Sequence, residues 1–274
     1  MLYAAMADLH LTSPTNPRLK AVVGLRSRRD RDRSGECLVE GYEELALALE
    51  SGVVPSAVYY CPELMLDPDG QLDLVRRCRE LGAMTASVAR TVFEKVAYRQ
   101  GPDGFLAVVP TPGVPVGELV VAPGSLVLVC EGVEKPGNLG AMLRTADAAG
   151  VAAVIAADPV SDWGNPNVIR GSKGTVFAVP VAAGTLAEVL DWLATHGIRL
   201  VATTPDTERL HTDEDYRGAV AIAVGTERYG LTSGALTAAS SRVRIPMSGL
   251  VNSINVATSA AIVTYEAVRQ RTLG

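Results

Sequence analysis

Short apolar runs alternate along the chain with longer stretches of helical period. In the first part, Cys37 to Glu40, Ala57 to Tyr60 and Phe105 to Val109 are brief and rich in β-branched or aromatic residues, which predicts strands. Between them, Asn16 to Leu25 has Pro17 at a first helical position and Gly24 near its end, which predicts a short helix followed by an arginine-rich loop. Tyr42 to Glu50 is closed by Gly52, Leu72 to Leu81 by Gly82, and Ser87 is placed to cap a helix running through Val96. Further on, Leu126-Val-Leu-Val-Cys130 has no polar alternation, as a parallel strand covered on both faces requires. Leu139 to Ala149 reads as a helix with Asn138 at its N-cap and Gly150 just past its end. Strands are predicted at Val151 to Ala156, Val176 to Val181, Ile198 to Thr203, Ala219 to Val224 and Val243 to Ile245, with helices at Leu186 to Thr195 and Val256 to Arg269. This order predicts an α/β protein whose second half is a parallel sheet. Thr111-Pro-Gly-Val-Pro-Val-Gly117 has no periodicity, so residues 1–110 and 124–274 are expected to form two domains joined by 111–123.

Composition narrows the classes. With 274 residues, 48% apolar, the chain can build one large core or two ordinary ones. It contains no run near the roughly 20 apolar residues of a membrane span, and Met1 to Leu11 makes a poor signal peptide. Cys37, Cys61, Cys78 and Cys130 show no paired spacing and predict reduced thiols in a cytoplasmic protein. None of the three histidines lies near a cysteine, so no metal site is expected. The net charge is −5, yet Arg18 to Arg33 carries seven basic residues against two acids, leaving −10 for the remainder. Such a patch on an acidic protein is a candidate phosphate-contacting surface, in which Lys20, Arg26, Arg28 and Arg29 are the expected phosphate contacts.

Open parallel sheets take ligands beyond the carboxyl ends of their strands. The loops that matter therefore follow Cys130, Thr203, Val224 and Ile245. The first leads to Asn138-Leu-Gly140 and a helix that carries Arg144, about 9 Å farther along the axis at 1.5 Å per residue. The third is Gly225-Thr-Glu227-Arg-Tyr-Gly230-Leu231. The fourth holds Asn252, Ser253 and Asn255 before a small-residue helix that any of the three is able to cap. No G-x-G-x-x-G or Walker motif occurs, which weighs against nicotinamide and P-loop enzymes. Asp147, Asp158 and Asp162 are too spread out for a paired-carboxylate hydrolase.

Asn138-x-Gly140-x-x-x-Arg144, Gly225-x-Glu227-x-x-Gly230-Leu231 and Ile245-Pro-Met247 with Asn252-Ser-Ile-Asn-Val256 together resemble, in order and spacing over residues 124–270, the three signature motifs of the SpoU/TrmH RNA ribose methyltransferases. Ile254 and Lys135 depart from the usual residues without touching the pattern. The first half is similar to that family's L30e-type substrate-binding domain through Asn16-Pro-Arg-Leu-Lys20 and Leu38-Val-Glu-Gly41. The resemblance implies a deep trefoil knot in residues 124–274, a homodimer, and S-adenosylmethionine as methyl donor. It places the donor at Thr203, Gly225, Ile245, Met247, Leu250, Ser253, Ile254 and Ala257, and assigns catalysis to Asn138, Arg144, Glu227, Ser253 and Asn255. Family proposals make Arg144 a general base assisted by an RNA phosphate, but a guanidinium stays protonated, so fixing that phosphate is the easier role. The implied reaction is methylation of a ribose 2′-hydroxyl, with large-subunit (23S) ribosomal RNA ahead of transfer RNA. The layout is similar to enzymes giving thiostrepton or avilamycin resistance, and housekeeping and resistance roles both fit. A non-catalytic RNA-binding protein is the competing class. Donor binding without transfer of label to RNA separates it, and nicotinamide binding would mark a dehydrogenase.

Overall fold

The computed structural model describes residues 9–273, so most of the Met1 to Leu11 stretch lies outside the described residues. The chain forms two compact units, residues 1–111 with 164–177, and 112–163 with 178–274.

In the first unit, β1 (Leu9–Leu11), α1 (Pro17–Gly24), α2 (Arg28–Ser34), β2 (Glu36–Glu40), α3 (Tyr42–Glu50), β3 (Ala57–Tyr60), α4 (Pro68–Glu80), β4 (Met84–Val88), α5 (Arg90–Val96) and β5 (Phe105–Pro110) follow in order. The five-stranded sheet runs β1-β4-β3-β5-β2, and β5 is antiparallel to both its neighbours. Asn16 caps α1 by accepting from the Arg18 N–H at 2.9 Å. The core joins Leu19 and Val22 of α1 to Leu38, Tyr59, Phe93, Leu106 and Val108. Ser87 is not a cap. It lies in β4, paired with His10, and α5 begins after Ala89. The arginine-rich segment is a helix rather than a loop. It is polar almost all round and is held by spacing-matched pairs, Arg33 with Asp30 and Arg28 with Asp32, and by Gly35 in the left-handed conformation at its end.

In the second unit, β6 (Val114–Pro115) and β7 (Leu126–Glu131) precede α6 (Pro136–Ala149) and β8 (Ala153–Ala157). The chain then gives α7 (Pro166–Gly171) to the first unit. It returns as β9 (Val181–Gly184), α8 (Leu186–Thr195), β10 (Arg199–Thr203), β11 (Val220–Val224), α9 (Ser233–Ala238), β12 (Ser241–Val243) and α10 (Val256–Leu273). The seven strands are parallel, ordered β12-β10-β11-β7-β8-β9-β6. Connections leave β7 and β11 toward opposite sides of the sheet, so these adjacent strands form the switch point where such sheets bind ligands.

The segment 164–177, expected in the second domain, packs within the first unit. A Cβ on Gly164 would lie 2.9 Å from Thr111 and 3.0 Å from Cys37, so only glycine lets the chain pass there. The strand predicted at Val176 to Val181 begins only at Val181. Thr175 to Phe177 form a 3₁₀ turn with Val176 buried, and Pro180 interrupts the run. In the last helix Ala257, Ala260 and Val263 are buried by their own chain, and the large apolar side chains left exposed on it and just before it are Leu250, Val251, Tyr265 and Leu273. Arg271 ties the end of α10 down by donating to the Tyr216 and Gly124 carbonyls at 3.0 and 2.9 Å, and to that of Gly218. No described helix is long and apolar enough to cross a membrane.

Candidate functional site

The site is built on the carboxyl edge of the second unit's sheet. Lys135, not Asn138, occupies the N-cap position of α6 and makes no side-chain cap bond. Asn138 sits inside the first turn, where its side chain is free for other partners. The apolar side of α6, Leu139, Met142, Leu143 and Ala146, is buried and fixes where Asn138 points.

One chain of hydrogen bonds joins three separate loops, and its direction follows from the donors. The Ala257 and Thr258 N–H groups at the start of α10 donate to Asn255 Oδ1 at 2.9 and 3.3 Å. Asn255 is therefore the cap, and its oxygen is committed to the helix. Its Nδ2 then donates to Asn138 Oδ1 at 3.1 Å. That leaves Asn138 Nδ2 to donate to Glu227 Oε1 at 2.5 Å. A carboxylate only accepts, so the order cannot be reversed. The last link is charge-assisted, and such bonds contribute about 1.5–3 kcal/mol each.

Glu227 is aimed by the tight loop after β11, closed by reciprocal Thr226 and Gly230 backbone bonds of 3.0 Å. Gly225 starts that loop in contact with its far end. A Cβ there would lie 2.1 Å from the Gly230 carbonyl carbon and 2.3 Å from the Leu231 nitrogen. Two residues outside the sequence candidates support the loop. Glu131, buried at the end of β7, accepts from the Thr232 N–H at 2.9 Å and from its hydroxyl at 2.6 Å. The signal was a carboxylate ending an apolar run, too common to single out. Cys130, next to it, is buried and its thiol is pushed up to about 12, which removes it as a nucleophile.

The remaining candidates fall into two groups. Arg144 is exposed on α6 and has no hydrogen-bond or ion-pair partner among the described residues. Ser253 is exposed and is not drawn into the Asn138 network. Ile245, Met247 and Ile254 are half-buried, Ala257 is buried, and Leu250 faces solvent. Residues 245–254 make no backbone–backbone hydrogen bond among those described, so their C=O groups and, Pro246 apart, their N–H groups stand ready for a ligand. The Thr203 hydroxyl oxygen, at the end of β10, is buried without a partner. A buried orphan hydroxyl, a loop of free backbone groups and a glycine-tight turn fit a polar, extended small molecule. No group of three or more potential metal ligands occurs among the described residues.

In the basic segment, Arg31 is buried and donates to the Leu25 and Arg26 carbonyls at 2.9 and 2.8 Å, Arg26 is half-buried, and Arg28 pairs with Asp32. Lys20 and Arg29 are exposed. The patch is thus thinner than its composition suggests.

Known proteins resemble both parts of the chain. Residues 16–107 match the model of the MRM3-like substrate binding domain. The chain is 32% identical over 261 residues to a 23S rRNA (uridine(2479)-2′-O)-methyltransferase of Streptomyces viridochromogenes, covering 91% of this chain and 88% of that one. A crystal structure described as an RNA 2′-O ribose methyltransferase superposes with a TM-score of 0.82 at 39% identity, over 96% of this chain and 100% of that one. The AdoMet-bound rRNA methyltransferase of Sinorhizobium meliloti gives 0.87 at 27%, over 95% and 97%. With residues 125–265 matching the model of the SpoU rRNA Methylase family, the chain belongs to that family.

Proposed function

We propose that this protein transfers a methyl group from S-adenosylmethionine to a ribose 2′-hydroxyl of 23S ribosomal RNA. The observation that carries the reading is the Asn255–Asn138–Glu227 chain, which locks three motif loops together beside ten residues of unpaired backbone. S-adenosylmethionine, when bound, supplies an electrophilic methyl group. Thr203, Gly225, Ile245, Met247, Leu250, Ser253, Ile254 and Ala257 would hold it, largely through backbone groups and the orphan hydroxyl. Arg144 grips the phosphate next to the target ribose, a bidentate task suited to a guanidinium that stays protonated. Asn138 and Asn255 set the first turns of α6 and α10 relative to Glu227, and Ser253 faces the target hydroxyl. Positioning of this kind is the main lever for a displacement between two bound reactants. The trefoil knot expected of residues 124–274 belongs to the same reading, as does a cytoplasmic location.

Incubating the protein with tritiated S-adenosylmethionine and ribosomal RNA is expected to label the RNA at one alkali-resistant position. Donor binding with no label in ribosomal or transfer RNA would overturn the assignment. The uridine-directed relative makes a large-subunit uridine the first nucleotide to map. Comparing drug inhibition of ribosomes with and without the mark reads out a resistance role.

The active form is proposed to be a homodimer, supported by the exposed Leu250, Val251 and Tyr265 around α10. Light scattering at micromolar concentration is expected to give twice the 28.7 kDa chain mass. A monomeric mass would contradict this.

A further inference from the structure

The first unit carries a shallow, open cleft of about 720 Å³ lined by Tyr98, Arg99, Gln100, Asn167 and Arg170. None of these residues belongs to the basic segment Arg18 to Arg33. Two of them come from the 164–177 segment, which reaches the first unit from the middle of the methyltransferase sequence.

The lining is preorganised. Glu40, buried beneath, accepts from the Tyr98 and Arg99 N–H groups at 3.1 Å each, fixing the backbone of that corner. The Arg26 guanidinium lies over the Tyr98 ring, 5.3 Å from its centroid, and also donates to the Val96 carbonyl. Asn167 Nδ2 donates to the Tyr98 hydroxyl at 3.1 Å, while Asn167 Oδ1 accepts from Arg170 at 3.1 Å. Tyr98 nevertheless keeps 45% of its surface exposed.

The charges are unevenly spent. Arg99 is 3.8 Å from Asp103 and donates through Nε to the Gly101 carbonyl at 3.3 Å, with its remaining N–H groups uncommitted among the described residues. Arg170 has a neutral amide as its described partner and keeps its full charge at the surface. An exposed aromatic ring sharing a cleft with two guanidiniums, Arg170 exposed and Arg99 half-buried, and with the amides of Gln100 and Asn167, matches the chemistry of an unstacked nucleotide. The ring takes the base, the guanidiniums take the phosphates, and the amides reach the base edge.

We propose that this cleft is a single-nucleotide subsite for RNA, with Tyr98 as the stacking platform and Arg99 and Arg170 as the phosphate clamp. The inference rests on the RNA substrate assigned above and locates recognition in particular residues of the first unit. It also gives the 164–177 segment a purpose, since without it the cleft loses Asn167 and Arg170.

The test is equilibrium binding of a fluorescein-labelled, mixed-sequence single-stranded RNA 12-mer to the full chain across a salt series. Tyr98→Ala is expected to weaken binding about 5- to 150-fold, the range for loss of one stacked base. Tyr98→Phe, which keeps the ring, should stay within about twofold of the unsubstituted protein on the same argument. The double substitution Arg99→Ala with Arg170→Ala should lower the log–log salt slope by about 1.4, or about 0.7 per phosphate on single strands. Arg76→Ala, an exposed arginine paired with Asp73 on its own helix, serves as the charge control and should leave the slope unchanged. Binding and slope unchanged in the Tyr98 and arginine variants, equal losses for Tyr98→Ala and Tyr98→Phe, or no binding of the 12-mer by the unsubstituted chain would each overturn the proposal. S-adenosylmethionine affinity and tritium transfer are measured alongside. A protein that methylates RNA but whose cleft variants bind normally refutes the subsite alone, whereas failure of transfer refutes the assigned reaction.

Discussion

Arg144→Ala is expected to lower methyl transfer to RNA by about 10²–10³-fold or more, the scale set by removing one preorganised charge-stabilising donor from an active site. Arg144 lies on α6, whose buried Leu139, Met142, Leu143 and Ala146 anchor it in the second unit. Its guanidinium is exposed and carries no described partner, so the residue adds nothing to the fold that its loss would remove. Thermal unfolding and S-adenosylmethionine binding should therefore match those of the unsubstituted protein. Arg144→Lys keeps the charge but gives up the two-pronged grip, and should retain intermediate activity. Turnover above a tenth of normal in Arg144→Ala would remove this residue from the reacting centre.

Gly225→Ala is the second substitution with a large expected effect, and it acts on the donor. The added methyl would meet the backbone of Gly230 and Leu231 at 2.1 to 2.3 Å, with no flexible side chain to give way. The Thr226–Gly230 turn must open, and Glu227 then loses its aim at Asn138. Overpacking of this kind costs about 1–3 kcal/mol. Appearing as lost donor affinity, this is a roughly 5- to 150-fold rise in the dissociation constant measured by calorimetry. Gly117→Ala, where nothing lies within 4 Å of the added atom, provides the neutral comparison. Equal donor affinity in the two variants would show that the turn does not shape the donor pocket.

How far a sequence discloses its structure can be read from single elements here. Tyr42–Glu50, Ala57–Tyr60 and Leu186–Thr195 have the boundaries their patterns predicted. The two helices carry a helical period and a local boundary signal, Gly52 after one and the Thr185 capping box at the start of the other, and the strand is rich in β-branched and aromatic residues. The elements that differ do so for separate reasons. An apolar run is the same signal whether it becomes a strand or a buried turn, so Val176 to Val181 was ambiguous until its surroundings were known. Met84–Val88 lacked the β-branched density of its neighbours, and its place between β1 and β3 comes from pairing with them. The helix at Arg28–Ser34 was legible in principle, through its charge spacing and Gly35, but seven arginines and lysines within sixteen residues read first as a binding loop.

For the site, the sequence by itself determined the alternation of strands and helices, the loops at the strand ends and the residues those loops carry. These depend on local spacing, and local spacing is written in the chain. It did not determine what Asn138 does. Its position before a helical run made it a cap, and the structure instead gives it to Glu227 and Asn255, 89 and 117 residues away. Nor did it show that Asn167 and Arg170 leave the parallel-sheet unit to stand beside Tyr98. Hydrogen bonds act over about 3 Å whatever the sequence separation. Which distant groups come that close is decided only when the sheet orders its strands and the cores set where each helix lies.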